Sequence, residues 1–289
     1  MAISMILITG ATGRIGSKLV ESLLQSGKPV RVLVRNSQKA ANLQALGASV
    51  CLGDLNRLDH LDVALQGCDR LFSIPPNTIN QAEQEIQLYQ AAKRTGIQHI
   101  VKLSTVKSDP ESPCQFFKHH ATAEQHLKQS GIKFTILQTN SFMQNFLWFS
   151  HEMRTKGTLS LPMRDAKTAP IDIRDVVRVG SAILTEEEHE GKTYNLTGSE
   201  LLSLAEIAEK LSIVANQKIT YIDASSLDFK QTLIQSNVPE WFAEAVTTSW
   251  QIASKGKPTL TDVVTQIGGK QPITFDEFAW DYKTIFAQE

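Results

Sequence analysis

The chain has 289 residues, 42% hydrophobic and 20% charged, which fits one large α/β domain or a nucleotide-binding domain with a smaller cap. Its formal net charge of −1 offers no bulk attraction to nucleic acid or an anionic membrane, and no apolar run is long enough to span a bilayer. Three cysteines, Cys51, Cys68 and Cys114, lie far apart with no CxxC pair. They point to reduced thiols in a cytoplasmic compartment, where the Asn195-Leu196-Thr197 sequon would be idle.

The apolar run SMILITG (4–10) has no basic segment ahead of it and ends in glycines. It reads as a first buried strand rather than a cleaved leader. RIGSKLVESLLQSG (14–27) follows, with Ile15, Leu19, Leu23 and Leu24 on one helical face and Gly27 suited to the helix end. VRVLVRN (30–36) and ASVCLGD (48–54) read as the second and third strands. LDHLDVALQG (58–67) reads as a helix with Asn56 as its N-cap. RLFSIPP (70–76) is a fourth strand, QAEQEIQLYQAAKRTG (81–96) a long helix, and HIVKLST (99–105) a fifth strand. HHATAEQHLKQSG (119–131) is a helix and FTILQTN (134–140) a sixth strand.

Strands alternating with helices predict a doubly wound parallel sheet of Rossmann type, with right-handed crossovers. After about residue 141 the rhythm changes. SFMQNFLWFSHEM (141–153) is rich in aromatics and Met, and APIDIRDVVRVGSAIL (169–184) predicts another strand and helix of the main sheet. KTYNLTG (192–198) is a strand, and Ser203 and Glu206 are spaced as a capping box. The remainder reads as mostly helical. The expected division is a dinucleotide-binding domain over 1–150, joined by 168–185, and a small discontinuous cap within 151–289. The cap would cover the C-terminal edge of the sheet, where ligands of open α/β sheets bind.

The stretch GATGRIG (10–16) sits between that first strand and first helix. Gly10 can take the tight turn, Gly13 lets the backbone approach a pyrophosphate, and Gly16 lets the helix pack close. The helix start near Arg14 offers free N–H groups to phosphate. The spacing is GxxGxxG rather than GxGxxG, but its strand–helix context points to a nucleotide rather than a plain turn. Nineteen residues after Gly16, where an acidic side chain would hold the ribose of NAD, stands Arg35, followed by Asn36, Ser37 and Lys39. A cation there favours a 2′-phosphate, hence NADP(H), over the duller reading of a solvated strand end.

Several stretches together resemble the NmrA-like group of atypical short-chain dehydrogenases: ILITGATGRIG, VRVLVRN, GDL (53–55), GIKFTILQTNSFMQNF and GKTYNLTG. In pattern they are similar to NAD(P)H-dependent quinone oxidoreductases and triphenylmethane reductases. The legible resemblance runs from about residue 5 to 210. It implies that Gly10, Thr12, Gly13, Arg14 and Ile15 cradle the pyrophosphate and that Arg35 meets the adenosine ribose or its phosphate. It further implies that Asp54 and Leu55 border the adenine, that Ser73, Ile74 and Pro75 lie along the cofactor, and that QTNSF (138–142), which holds Asn140, passes near the nicotinamide. Asp54 could instead cap the next helix, and Pro75 with Pro76 could simply stop a strand.

Typical short-chain dehydrogenases use a Ser and a Tyr-x-x-x-Lys pair, the Tyr moving a proton at the substrate oxygen. Ser104 stands where that Ser would be, but the helix carries Phe116-x-x-x-His120. A phenyl ring moves no proton, and Lys118 falls about 200° around the helix from Phe116. Ordinary alcohol–ketone chemistry is therefore not expected. Hydride transfer needs only a nicotinamide C4 near an electron-poor acceptor. His120 is placed to contact the cofactor ribose or the substrate, with a surface histidine as the bland alternative. Phe116, Phe142, Met143, Phe146, Trp148 and Phe149 could wall a flat apolar pocket for an aromatic or quinone acceptor, or could be core. His119, His120 and His126 are out of register for a shared metal, so no metal is expected. Asp172 and Asp175 read as N-cap and first-turn charge.

Two functions of different classes fit these residues, with a reductase of a plant-like phenolic or another enone as a lesser third. One is an NADPH-dependent reductase of quinone-like acceptors, acting as a monomer or homodimer with a small-molecule substrate. The other is an NADP(H)-binding redox sensor with no chemistry of its own. The aromatic segment favours the enzyme, and no basic patch or tail advertises a macromolecular partner.

Overall fold

The structure is a computed structural model and describes residues 5–287; Ser4, the first residue of the expected opening strand, lies outside them. The first half runs β1 (Ile6–Ile8), α1 (Arg14–Gln25), β2 (Val30–Val34), α2 (Ser37–Ala45), β3 (Ser49–Leu52), α3 (Leu58–Leu65), β4 (Arg70–Ser73), α4 (Gln81–Thr95), β5 (His99–Thr105), α5 (Gln115–Gln129) and β6 (Lys133–Thr139). A 3₁₀ helix (Met143–Phe149) leads into α6 (Ser150–Lys156), β7 (Thr158–Leu161), β8 (Lys167–Thr168), α7 (Ile173–Thr185) and β9 (Lys192–Leu196). The chain ends with β10 (Leu202–Ser203), α8 (Leu204–Ala215), β11 (Thr220–Asp223), α9 (Ser226–Gln235), α10 (Glu240–Ala253), α11 (Val263–Gly268), α12 (Phe275–Asp281) and α13 (Lys283–Phe286).

Seven strands form one parallel sheet in the order β3-β2-β1-β4-β5-β6-β9. The chain thus winds outward in both directions from β1, and the order reverses between β1 and β4. A crevice opens at such a reversal beyond the carboxyl ends of the strands. The central strand Ile6-Leu7-Ile8 is buried on both faces, as a parallel sheet with helices on each side demands. One face packs on α1 and α7 through Leu19, Leu23, Phe72, Val176 and Ile183. The other packs on α3, α4 and α5 through Leu61, Leu88, Tyr89, Ala123 and Leu127.

A further core lies within residues 143–286, formed by Met143, Phe146, Leu159, Ile207, Leu211, Phe275, Phe278 and Phe286 among others. The structure departs from several expectations. The segment at 169–184 adds a helix but no strand to the main sheet. β8 pairs antiparallel with β10 instead, Ile171 only bridges Phe142, and Pro170 lacks the N–H a ladder needs. The seventh strand is β9, which pairs with β6. The C-terminal part is mostly helical, as expected, and also carries β7 paired with β11. α2 has no counterpart among the expected elements: its apolar stripe is weak, with only Ala40 and Leu43 buried. The N-cap of α3 is Arg57, not Asn56, and it makes no side-chain capping bond. The Ser203–Glu206 capping box is present, and Asp172 caps α7 by accepting from the Arg174 N–H.

Candidate active site

The glycine loop closes the β1–α1 turn. Gly10 has φ +62°, and a Cβ there would lie 2.9 Å from Ile74 Cβ. A Cβ on Gly16 would drive into the Gly10 carbonyl and the Ala11 backbone, so only glycine lets α1 start this close. The Gly13 N–H donates to the Gly10 carbonyl at 3.0 Å. Gly13 itself caps α1 without a side-chain bond, and the first turn carries no acidic residue. Thr12, Gly13 and Arg14 are exposed while Ile15 and Gly16 are buried. The free amides and positive end of α1 therefore face outward at the reversal point, as an anion site requires.

Thr9 fixes the loop against the end of β4. Its hydroxyl accepts from the Ile74 N–H at 3.0 Å and donates to the Ile74 carbonyl at 3.2 Å. Ile74 and Pro75, both half-buried, continue the edge of the crevice. Arg14 Nη1 donates to the Gln144 carbonyl at 3.1 Å, tying the start of α1 to the 3₁₀ helix. At the end of β2, Arg35 is exposed and makes no hydrogen bond or ion pair among the described residues. Asn36 caps α2 by accepting from the Gln38 N–H at 2.8 Å, so Ser37 begins a helix N-terminus beside that guanidinium.

Asp54 holds its own loop. Its Oδ1 accepts from the Asn56 backbone and side-chain amides at 2.9 and 2.8 Å, and its N–H donates to His60 Nδ1 at 3.1 Å. Leu55 is half-buried against the core. Asn140 is likewise engaged, its Oδ1 accepting from the Ser141 N–H at 2.9 Å and from Thr168 Oγ1 at 3.1 Å. Ser73 departs from expectation. Its side chain is fully buried on the α4 face, 3.4 Å from the Tyr89 hydroxyl, so it does not line the crevice.

The other end of the crevice is built from β5, α5, β6 and α10. Register sets Ser73 beside Lys102 and Ser104 beside Gln138. Alternation along β5 turns Lys102 and Ser104 to the same face. Ser104 and His120 do come together, Oγ and Nδ1 lying 3.2 Å apart. Ser104 also donates to Glu124 Oε1 at 2.5 Å, and Gln138 Nε2 donates to the same carboxylate. Burial, and then the charge of Lys102, hold the His120 imidazole well below its ordinary pKa, so it stands neutral. Deeper still, Lys102 Nζ meets Glu85 Oε1 at 2.5 Å with both side chains essentially inaccessible. Tyr89 donates to the same oxygen at 2.7 Å, and burial with that carboxylate pushes its phenol well above the usual range.

Phe116 packs edge-on against Phe242 (5.2 Å between centroids) and Trp241 (6.3 Å), both on α10. All three rings are half-buried. The remaining aromatic segment is sorted differently. Phe142 is half-buried against the sheet core. Met143 and Phe146 are fully buried in the C-terminal core, Phe146 edge-on to Phe275, and have no open face for a ligand. Trp148 is 59% exposed. Met143 and Phe146 are thus core rather than pocket wall, because the 3₁₀ turn buries them in the C-terminal cluster, Phe146 against Phe275 of α12. The sequence alone did not single out Glu124, Lys102, Glu85, Trp241 or Phe242, and it named Gln138 only as part of the 138–142 segment. Of these only Lys102, a charge within the mostly apolar strand β5, carries a local signal that could have flagged it. No group of three or more His, Cys, Asp or Glu side chains suited to a metal occurs among the described residues. None of their helices is long and apolar enough to cross a membrane.

A Rossmann-type sheet with a glycine loop at its reversal point defines a dinucleotide-binding class of fold. Within that class, the chain belongs to the NmrA-like family, whose model matches residues 3–279. The match continues well past residue 210, where the legible resemblance fades. An NAD(P)H azoreductase of Xenophilus azovorans is 33% identical over 283 residues, covering 98% of this chain and 99% of the relative. The NADPH complex of the quinone oxidoreductase QOR2 from Escherichia coli superposes with a TM-score of 0.88 at 29% identity, over 95% of this chain and 98% of that one. The NADP(H) complex of Citrobacter sp. triphenylmethane reductase gives 0.85 at 26% identity, over 96% and 99%.

Proposed function

We propose that this chain is an NADPH-dependent reductase that passes hydride to a quinone-like or other electron-poor aromatic acceptor without a tyrosine–lysine pair. The observation that carries this reading is Phe116. The residue at the proton-donor position is a phenyl ring held edge-on in an aromatic cluster with Trp241 and Phe242. Such a wall suits a flat apolar acceptor and supplies no proton. The three relatives named above, an azoreductase, a quinone oxidoreductase and a dye reductase, support the same class of acceptor.

The cofactor half of the proposal, residues 1–150 with 168–185, rests on the cradle. Gly10, Thr12, Gly13, Ile15 and Gly16 would hold the pyrophosphate, and nothing but the Gly10 carbonyl would meet a Cβ at Gly13. Arg35, with no partner among the described residues, would take the 2′-phosphate together with Ser37 at the start of α2. Asp54 and Leu55 would border the adenine, Ile74 and Pro75 the cofactor's length, and Asn140 the turn beside the nicotinamide. When bound, the reduced nicotinamide supplies the hydride. His120 and Ser104 would contact its ribose or the acceptor, while Phe116 and the α10 aromatics exclude water.

The test is NADPH consumption by the purified protein with a benzoquinone, an azo dye and a triphenylmethane dye. Turnover with at least one is expected. NADPH binding without turnover on any acceptor would replace the reductase by the sensor.

A further inference from the structure

Ser104 lies between two groups and has one hydroxyl proton to give. Its oxygen is 2.5 Å from Glu124 Oε1 and 3.2 Å from His120 Nδ1. The Glu124 carboxylate is buried and faces donors. Gln138 Nε2 reaches its two oxygens at 3.0 and 3.1 Å, and Lys128 Nζ is 3.6 Å from Oε2. A carboxylate only accepts, so it takes the Ser104 proton. Ser108 gives its own proton to the Thr105 carbonyl at 2.9 Å, and as an acceptor for the Ser104 proton it is a neutral oxygen 3.4 Å away, against the Glu124 carboxylate at 2.5 Å. Ser104 Oγ can then only accept from His120. The nitrogen at that contact must carry a hydrogen, and a neutral imidazole has one.

We infer that Glu124, acting through Ser104, is a positioning residue that fixes His120 as the Nδ1-protonated tautomer and leaves Nε2 as a hydrogen-bond acceptor. Nε2 makes no hydrogen bond to any described residue. An acceptor there matches a hydroxyl donor and refuses a carbonyl oxygen. It selects a ribose hydroxyl of the cofactor, or the hydroxyl of a reduced aromatic product, and it cannot protonate a ketone. The ligand part of this inference rests on the proposed reductase reading, in which His120 borders the crevice; the tautomer does not.

The experiment is a long-range ¹H–¹⁵N spectrum of the full-length, cofactor-free, ¹⁵N-labelled protein, with His120→Gln used to assign the signals. The expected His120 pattern is a protonated Nδ1 and a bare Nε2. A protonated Nε2 overturns the inference without any variant. Glu124→Gln keeps an acceptor oxygen and should keep the tautomer, whereas Glu124→Leu should give a mixture. If Glu124→Leu does not fold, Ser104→Ala tests the same link and should also lose the preference. An unchanged single tautomer in the folded variant would remove Glu124 from the role. Loss of the tautomer should also weaken NADPH binding by about 3- to 10-fold, the range for one neutral hydrogen bond. The spectrum needs no activity. The expected tautomer in a protein without reductase activity would sink the function and support this inference; the opposite tautomer in an active protein would do the reverse.

Discussion

The two ends of the crevice are built from different material. At the glycine-loop end lie backbone amides, a helix terminus and Arg35, a cation with no partner among the described residues. At the α5 end they are side chains drawn from α4, β5, α5, β6 and α10, tied into buried hydrogen bonds and an ion pair. The first end depends on the glycines that shape the turn and, in the proposed role, on Arg35. The second is a coupled network in which removing one member strands another. The loop is thus suited to binding, and the network to placing one imidazole and one aromatic wall.

The network end should break hardest. Glu85→Ala leaves Lys102 charged and buried with no counterion, and losing one partner of such a pair costs about 3–5 kcal/mol. Urea denaturation measures this. A loss below about 1 kcal/mol would mean that Lys102 is not held by Glu85. At the loop end, Arg35→Ala should weaken NADPH binding by roughly 10- to 150-fold, the worth of hydrogen bonds to a charged group. Because Ser37 and Lys39 stand close by, the lower part of that range is the firmer expectation. Arg35→Glu should narrow or reverse the preference for NADPH over NADH; titration of both cofactors into both proteins decides it. An undiminished preference would move the phosphate contact elsewhere.

Gly16→Ala sharpens the contrast within the loop. The added methyl meets backbone, which cannot swing aside, and overpacking of this kind costs about 1–3 kcal/mol. NADPH affinity should fall with stability. Unchanged affinity would mean that the close approach of α1 is not what shapes the cradle. The smallest effect belongs to a site away from both ends. Ser203→Ala removes the α8 capping box and should cost about 1 kcal/mol, seen as a lowered Tm, with NADPH affinity unmoved.

Legibility in the sequence follows the same divide. The strand–helix alternation, the glycine turn and the cation at Arg35 are written in neighbouring residues, so the sheet and the loop end could be read locally. Ser104 and His120 were legible through the spacing of one strand and its helix. Glu124 was not, because its role appears only when β5 and α5 pack, and Trp241 and Phe242 arrive from more than a hundred residues beyond Phe116. Ser73, Met143 and Phe146 were misplaced for a related reason. Position along the chain put them near the crevice, but strand alternation and the 3₁₀ turn decide the face a side chain takes. The extra strand expected within 169–184 did not form, because Pro170 lacks a ladder N–H and Asp172 caps α7.

Hydride is proposed to leave this site for an acceptor that needs no proton from the protein. The most direct test compares kcat/KM at saturating NADPH for a benzoquinone and for an unactivated cyclic ketone of the same ring size. Turnover of the quinone and little or none of the ketone is the predicted result, since Phe116 has no proton to give and His120 presents an acceptor. Equal rates would contradict it and would require a protein acid at a position other than Phe116 or His120.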